Sequence, residues 1–62
     1  MKIIRDWAAQ HFEGHTTEVA TLPTTETVLP DGTVFAAANG STFLDVDTRD
    51  VYIFMSGEWK VL

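Results

Sequence analysis

Between Ile3 and Phe12 the apolar residues Ile3, Ile4, Trp7, Ala8 and Phe12 recur at steps of three and four, with Arg5, Asp6, Ala9 and Gln10 falling elsewhere. That is the spacing of one face of an amphipathic helix, and Gly14 stands where such a helix stops. A strand over Lys2 to Trp7 competes, but the adjacent Ile3 and Ile4 break the alternation of a half-buried strand. The spacing predicts a short N-terminal amphipathic helix within residues 1–14.

From His15 to Val28 the pattern fades, and six Thr accompany only Val19, Ala20, Leu22 and Val28 as apolar residues. Thr and Val favour extended backbone, while Pro23 cannot donate to a central ladder and biases Leu22 away from helix. Residues 15–30 are expected to form an extended Thr-rich connector with an edge strand around Glu18 to Leu22. It closes in a turn at Leu29-Pro30-Asp31-Gly32, where Pro presets φ, Asp accepts a local backbone bond and Gly tolerates positive φ.

Beyond it the punctuation is regular. Thr33 to Ala38, Ser41 to Asp47, Val51 to Met55 and Glu58 to Leu62 are extended runs, separated by Asn39-Gly40, Thr48-Arg49-Asp50 and Ser56-Gly57. Asn-Gly is the strongest short hairpin signal, so residues 31–62 predict an antiparallel β-meander of about four strands, neighbours following chain order. The expected fold is α+β and mainly β: one small domain over residues 1–62.

Val51-Tyr52-Ile53-Phe54-Met55 is apolar on both alternating sets, Val51, Ile53 and Met55 on one side and Tyr52 and Phe54 on the other. Such a strand expects cover on both faces, and one short helix anchored by Trp7 and Phe12 covers only one. The second face, with Phe43 or Leu44 and Trp59 or Leu62 beside it, is then left for another subunit. Trp7, Phe12, Phe43, Tyr52, Phe54 and Trp59 are the candidate interface residues.

Size sharpens this expectation. At 62 residues a single core needs help, and with no cysteine that help is not a disulfide or a thiolate metal site. Docking or oligomerisation is the natural source. A net charge of −5 without any Lys/Arg cluster disfavours nucleic acid and anionic membranes as partners. The start lacks the apolar run of a signal peptide and no stretch reaches the roughly 20 apolar residues of a membrane span, so assembly in a cytoplasm is expected.

Candidate chemistry is sparse. His11 and His15 stand four apart around Glu13, but the glutamate is not placed as in H-E-x-x-H, so no metal site is assigned. Asp45-Val46-Asp47-Thr48-Arg49-Asp50 resembles the opening of a calcium loop. Asp50 and Ser56, however, occupy the positions that require Gly and Glu, so turn chemistry is the better account. Ser41 and Ser56 sit at turns with no nearby His, and Gly14, Gly32, Gly40 and Gly57 are single turn residues that build no phosphate loop. No catalytic residue, cofactor or small-molecule substrate is expected. The aromatics Phe35, Phe43, Tyr52, Phe54 and Trp59 lack the basic frame of a single-strand nucleic-acid platform, which leaves packing or, as a remainder, sugar stacking.

The segment Asp31-Gly32, Gly40-Ser41-Thr42-Phe43-Leu44-Asp45-Val46-Asp47-Thr48, Val51-Tyr52-Ile53-Phe54 and Gly57-Glu58-Trp59-Lys60-Val61, preceded by Thr21-Leu22-Pro23-Thr24-Thr25, resembles a short β module of tailed-bacteriophage structural proteins. The resemblance covers residues 21 to 62. It implies a non-catalytic virion or virion-assembly component, often oligomeric, with Asp47-Thr48 at a loop and Tyr52 and Trp59 as packing anchors. The expected partners are further copies of the chain or other virion proteins of a head, tail or fibre, and the implied location is the virion. A small acidic inhibitor of a host nucleic-acid enzyme and a glycan-binding tip are the alternatives.

Overall fold

In the computed structural model, residues 1–6 and 8–62 are described. They contain seven strands: β1 (Lys2–Asp6), β2 (Gln10–Gly14), β3 (Thr27–Val28), β4 (Val34–Phe35), β5 (Thr42–Asp45), β6 (Val51–Met55) and β7 (Glu58–Val61). The one helix among the described residues is the single turn α1 (Thr16–Val19). Five strands form one sheet in the order β1-β2-β5-β6-β7, and β3 pairs with β4 in a separate ribbon.

The expected N-terminal helix is therefore corrected to a β-hairpin, and the α+β class to a small mainly-β fold. Ile3 pairs with Phe12 and Arg5 with His11, with a register shift between Ile3 and Arg5. This bulge resolves the adjacency of Ile3 and Ile4: the extra residue lets Ile3 turn inward while Ile4 stays 55% exposed. Apolar spacing of three and four was produced here by a bulge and a hairpin turn, which together mimic the helical period.

The simple meander is also corrected. β2 runs parallel to β5 and sits beside it, Phe12 opposite Phe43, and β4 pairs with β3 in the ribbon, so of the expected four-strand meander only β5, β6 and β7 remain neighbours. Parallel neighbours need a long crossover, and residues 15–41 supply it, carrying α1 and the β3–β4 ribbon over one face of the sheet. The connector expected to be extended thus holds a helical turn where an edge strand around Glu18 to Leu22 was predicted. Asn39-Gly40 forms a turn but joins no strand pair: β4 has already ended at Phe35, and the Gly40 N–H donates to Phe54 O at 2.8 Å. Strand β5 stops at Asp45 instead of Asp47.

Where turn chemistry is local it behaves as its residues dictate. The Gly32 N–H donates to Leu29 O and the Thr33 N–H to Asp31 Oδ1, closing the β3–β4 turn around Pro30. Ser56 and Gly57 both have positive φ, 53° and 80°, as a two-residue β6–β7 connection with the twist of its strands requires. Gly40 has φ of 90°. Gly40→Val is expected to lower stability by about 1–2 kcal/mol, since a β-branched residue resists this region, and urea denaturation against wild type measures the loss.

The core lies between the sheet's inner face and the crossover. It consists of Phe12, Phe35, Phe43, Phe54 and Leu29, with Met1, Ile3, Val19, Leu22, Ala37, Tyr52 and Trp59 packed around it. Phe35, from the ribbon, is the hub: its ring centroid lies 5.9 Å from Phe12, 5.4 Å from Phe54 in an edge-on arrangement, and 5.8 Å from Trp59. The Trp59 indole donates to Pro23 O at 2.8 Å, tying the crossover to the far edge of the sheet. Gly14 is closely packed: a Cβ there would run into the Glu18 carboxylate and stand 2.9 Å from Phe43 Cε1.

Candidate contact face

Strand alternation sorts the sheet into two faces. Phe12, Phe43 and Tyr52 are in register and face the crossover together, as do Phe54 and Trp59. The opposite face carries the row Arg5, His11, Thr42, Ile53 and Lys60 across all five strands, and beside it the row Lys2, Glu13, Leu44 and Val51. Met55 and Glu58 continue it at the β6–β7 turn. The shortest principal extent of the molecule, 19 Å, accommodates the sheet and one covering layer at about 10 Å spacing. Nothing of the described chain covers the second face.

This open face is aliphatic at its centre. Leu44, Val51 and Ile53 are half-buried by their neighbours, while Ile4 and Met55 are exposed. A shallow depression there is lined by Ile4, Arg5, His11, Thr42, Leu44 and Val51, together with Phe12 of β2. His11 Nδ1 and Thr42 Oγ1 are hydrogen-bonded to each other within it, which satisfies both groups. Around the aliphatic centre stand Lys2, Arg5 and Lys60, three of the four basic residues of the chain. Lys2 and Lys60 have only long, exposed ion pairs, 3.9 Å to Glu13 and 3.8 Å to Glu58, which hold them weakly.

The residues singled out from the sequence divide sharply. Phe12 and Phe43 are 0% exposed and Phe54 2%, so these three are core of the chain itself. Tyr52 and Trp59 are half-buried on the same inner face, and Trp7 lies outside the described residues. The sequence signal that did reach the open face was the second apolar set of β6, Val51, Ile53 and Met55. Leu44 joins them from β5, whereas Ile4 carried a signal only in the adjacency that argued against a strand.

The acidic segment is a hairpin loop built on Asp45, which is 1% exposed. Its carboxylate accepts from the Thr16 hydroxyl at 2.7 Å and from the N–H groups of Asp47 and Thr48, while the Arg49 N–H closes onto Asp45 O at 2.7 Å. Arg49 takes φ of 64° to complete the loop. Asp47 in turn accepts the Thr16 N–H at 3.0 Å, capping α1 from outside, and its Oδ1 lies 3.2 Å from His15 Nδ1. His11 and His15 are thereby separated, one on the open face and one on this loop. Among the described residues no three His, Cys, Asp or Glu side chains converge as a metal site.

These bonds set the acid behaviour of the fold. At Asp45, burial opposes the charge most strongly, but the Thr16 hydroxyl and the Asp47 and Thr48 bonds together outweigh it and hold the carboxyl below its usual range. The Thr16 N–H and then His15 lower Asp47, and the Thr33 N–H lowers Asp31. Groups depressed by folding contribute stability that is present above the unfolded carboxylate value of 3.8 and is lost as pH falls through the folded values. The melting temperature is expected to be level from neutral pH to about 5 and to drop below about 4. Asp45→Asn should lower the neutral melting temperature and flatten that acid limb, which thermal melts across pH will read.

Among the described residues no helix is long and apolar enough to cross a membrane. In comparisons with protein families, with curated proteins and with solved structures, no family model matches the chain, and no curated protein or solved structure matches it significantly.

Proposed function

We propose that the chain is a non-catalytic structural protein that acts through its open sheet face. The observation that carries this reading is the aliphatic centre formed by Leu44, Val51 and Ile53, flanked by exposed Ile4 and Met55, on a face that the chain's own crossover leaves bare. A 62-residue domain gains from burying such a face, because its single core supplies little stability to spare. The resemblance of residues 21–62 to a phage structural module is what directs this reading to a tailed-phage particle or its assembly intermediates, with capsid, head–tail or fibre proteins as the proposed neighbours. Tyr52 and Trp59 serve this function from inside, as anchors that keep the sheet flat against its crossover.

Purified particles produced from the genome that encodes the chain provide the test. The chain is expected to co-purify with them at fixed stoichiometry, and Ile53→Lys to remove it from particles while leaving its circular dichroism unchanged. Absence of the wild-type chain from particles and from every assembly intermediate would overturn the virion reading. Incorporation undiminished by Ile53→Lys would overturn the role of the open face.

A further inference from the structure

The two outermost surfaces of the molecule are complementary to each other. In the β3–β4 ribbon Val28 is paired with Val34 and Thr27 with Phe35. Phe35 points into the core, so Val28 and Val34 point away from it, and they are 68% and 45% exposed. This apolar pair lies on the far side of the molecule from the open sheet face, with the core and the sheet between them. Acidic residues flank it: exposed Glu26 immediately precedes β3, and Asp31 is exposed at the turn. Asp6 is bridged to Val34 by one side chain, since Gln10 Nε2 donates to both Asp6 Oδ1 and Val34 O.

The opposite face has the reverse character. Its aliphatic centre is ringed by Lys2, Arg5 and Lys60, and only Glu13 and Glu58 of the nine acidic residues lie on it. A chain of net charge −5 thus carries three of its four basic residues on one apolar face and leaves that face's opposite apolar and acidic. Packing two open faces against each other would bring basic rows together. Packing the ribbon of one copy onto the open face of the next sets acids against bases and valines against aliphatics.

Resting on the reading of the open face as a contact surface, we propose that its occupant is a second copy of this chain, stacked head to tail, with Val28 and Val34 of one copy seated on Leu44, Val51 and Ile53 of the next. Such a contact is heterologous: each copy uses one surface to bind and offers the other, so growth continues until a ring closes or a filament forms. Each contact is modest in apolar area, and closure makes the assembly firm by linking many of them.

Complementation between two singly blocked chains decides it. Ile53→Asp blocks the open face and Val28→Asp blocks the ribbon; both sites are at least partly exposed, and circular dichroism checks that each variant folds. By sedimentation velocity up to millimolar concentration, wild type is expected to form species larger than a dimer, more weakly at high salt. Each variant alone should lose association by at least about tenfold, the step that 1.4 kcal/mol corresponds to. Mixed together, the two should form a one-to-one dimer through the one intact pair of surfaces. Dimers of Val28→Asp alone that match wild type would show face-to-face pairing and overturn the head-to-tail contact while leaving the open face in use. Wild type that stays monomeric throughout would equally overturn it, and the contact would then belong to a different protein, as incorporation into particles would still report.

Discussion

Phe35→Ala is expected to abolish folding. The ring is 0% exposed and packs from the crossover against the rings of Phe12, Phe54 and Trp59 together, so its loss empties the junction between the two layers. A Phe-to-Ala truncation in a core costs about 3–5 kcal/mol. A 62-residue domain has roughly 3–9 kcal/mol in total at the usual stability per residue. The cavity cannot collapse easily, because Phe12 and Phe54 are fixed by strands on different sides of β5. Circular dichroism and amide dispersion by NMR at 25 °C should show a largely unfolded chain. Phe35→Leu, which retains most of the volume, should fold with reduced stability; a folded Phe35→Ala chain with an unshifted denaturation midpoint would mean that the ribbon is not what closes the core.

The hub of the core lies in a segment that local sequence reasoning assigned to a longer strand of a meander. What was legible were features decided by neighbours in the chain. Val51 to Met55, the Ser56-Gly57 turn and the strand from Glu58 follow from alternation and turn chemistry over a dozen residues, and Pro30-Asp31-Gly32 turns where its own backbone bonds dictate. What was not legible were the pairings decided at a distance. The parallel alignment of β2 with β5 joins residues about thirty positions apart, and nothing at His11 or Phe12 announces it. Without that pairing the helical reading of residues 3–12 had no competitor strong enough to displace it.

The contact face shows the same division. That β6 must be covered on both sides follows from five consecutive apolar residues, and Val51, Ile53 and Met55 do form one face. Which face turns inward is a matter of volume. The aromatic set, Phe43, Tyr52, Phe54 and Trp59, fills the space under the crossover, whereas the aliphatic set remains outside, so Phe12, Phe43 and Phe54 became core and Tyr52 and Trp59 pack against it. Polar residues that hold layers together left still less trace. Asp45 could be read as a turn former, but its reach to Thr16 across the sheet end could not, and Gln10 was notable only for lying off a helical face that does not exist.

Gln10→Ala is expected to destabilise the fold by roughly 2–3 kcal/mol, more than any surface substitution, chiefly through the hydrogen bonds it removes. The side chain is 2% exposed and is the polar bolt between sheet and ribbon: Nε2 donates to Asp6 Oδ1 at 2.8 Å and to Val34 O at 2.7 Å, and Oε1 accepts the Ala36 N–H at 2.8 Å. Its removal strands the Val34 carbonyl and the Ala36 amide at the end of β4, where each unsatisfied group costs about 1–3 kcal/mol before water partly repairs it. Gln10→Glu keeps the shape but replaces the two donors with acceptors facing Asp6 Oδ1 and Val34 O, so it should be at least as harmful at neutral pH and recover as the new carboxyl takes a proton. Urea midpoints at pH 7 and pH 5 separate the cases: a Gln10→Glu variant as stable as wild type at pH 7 would show that size alone, and not this set of hydrogen bonds, holds the ribbon to the sheet.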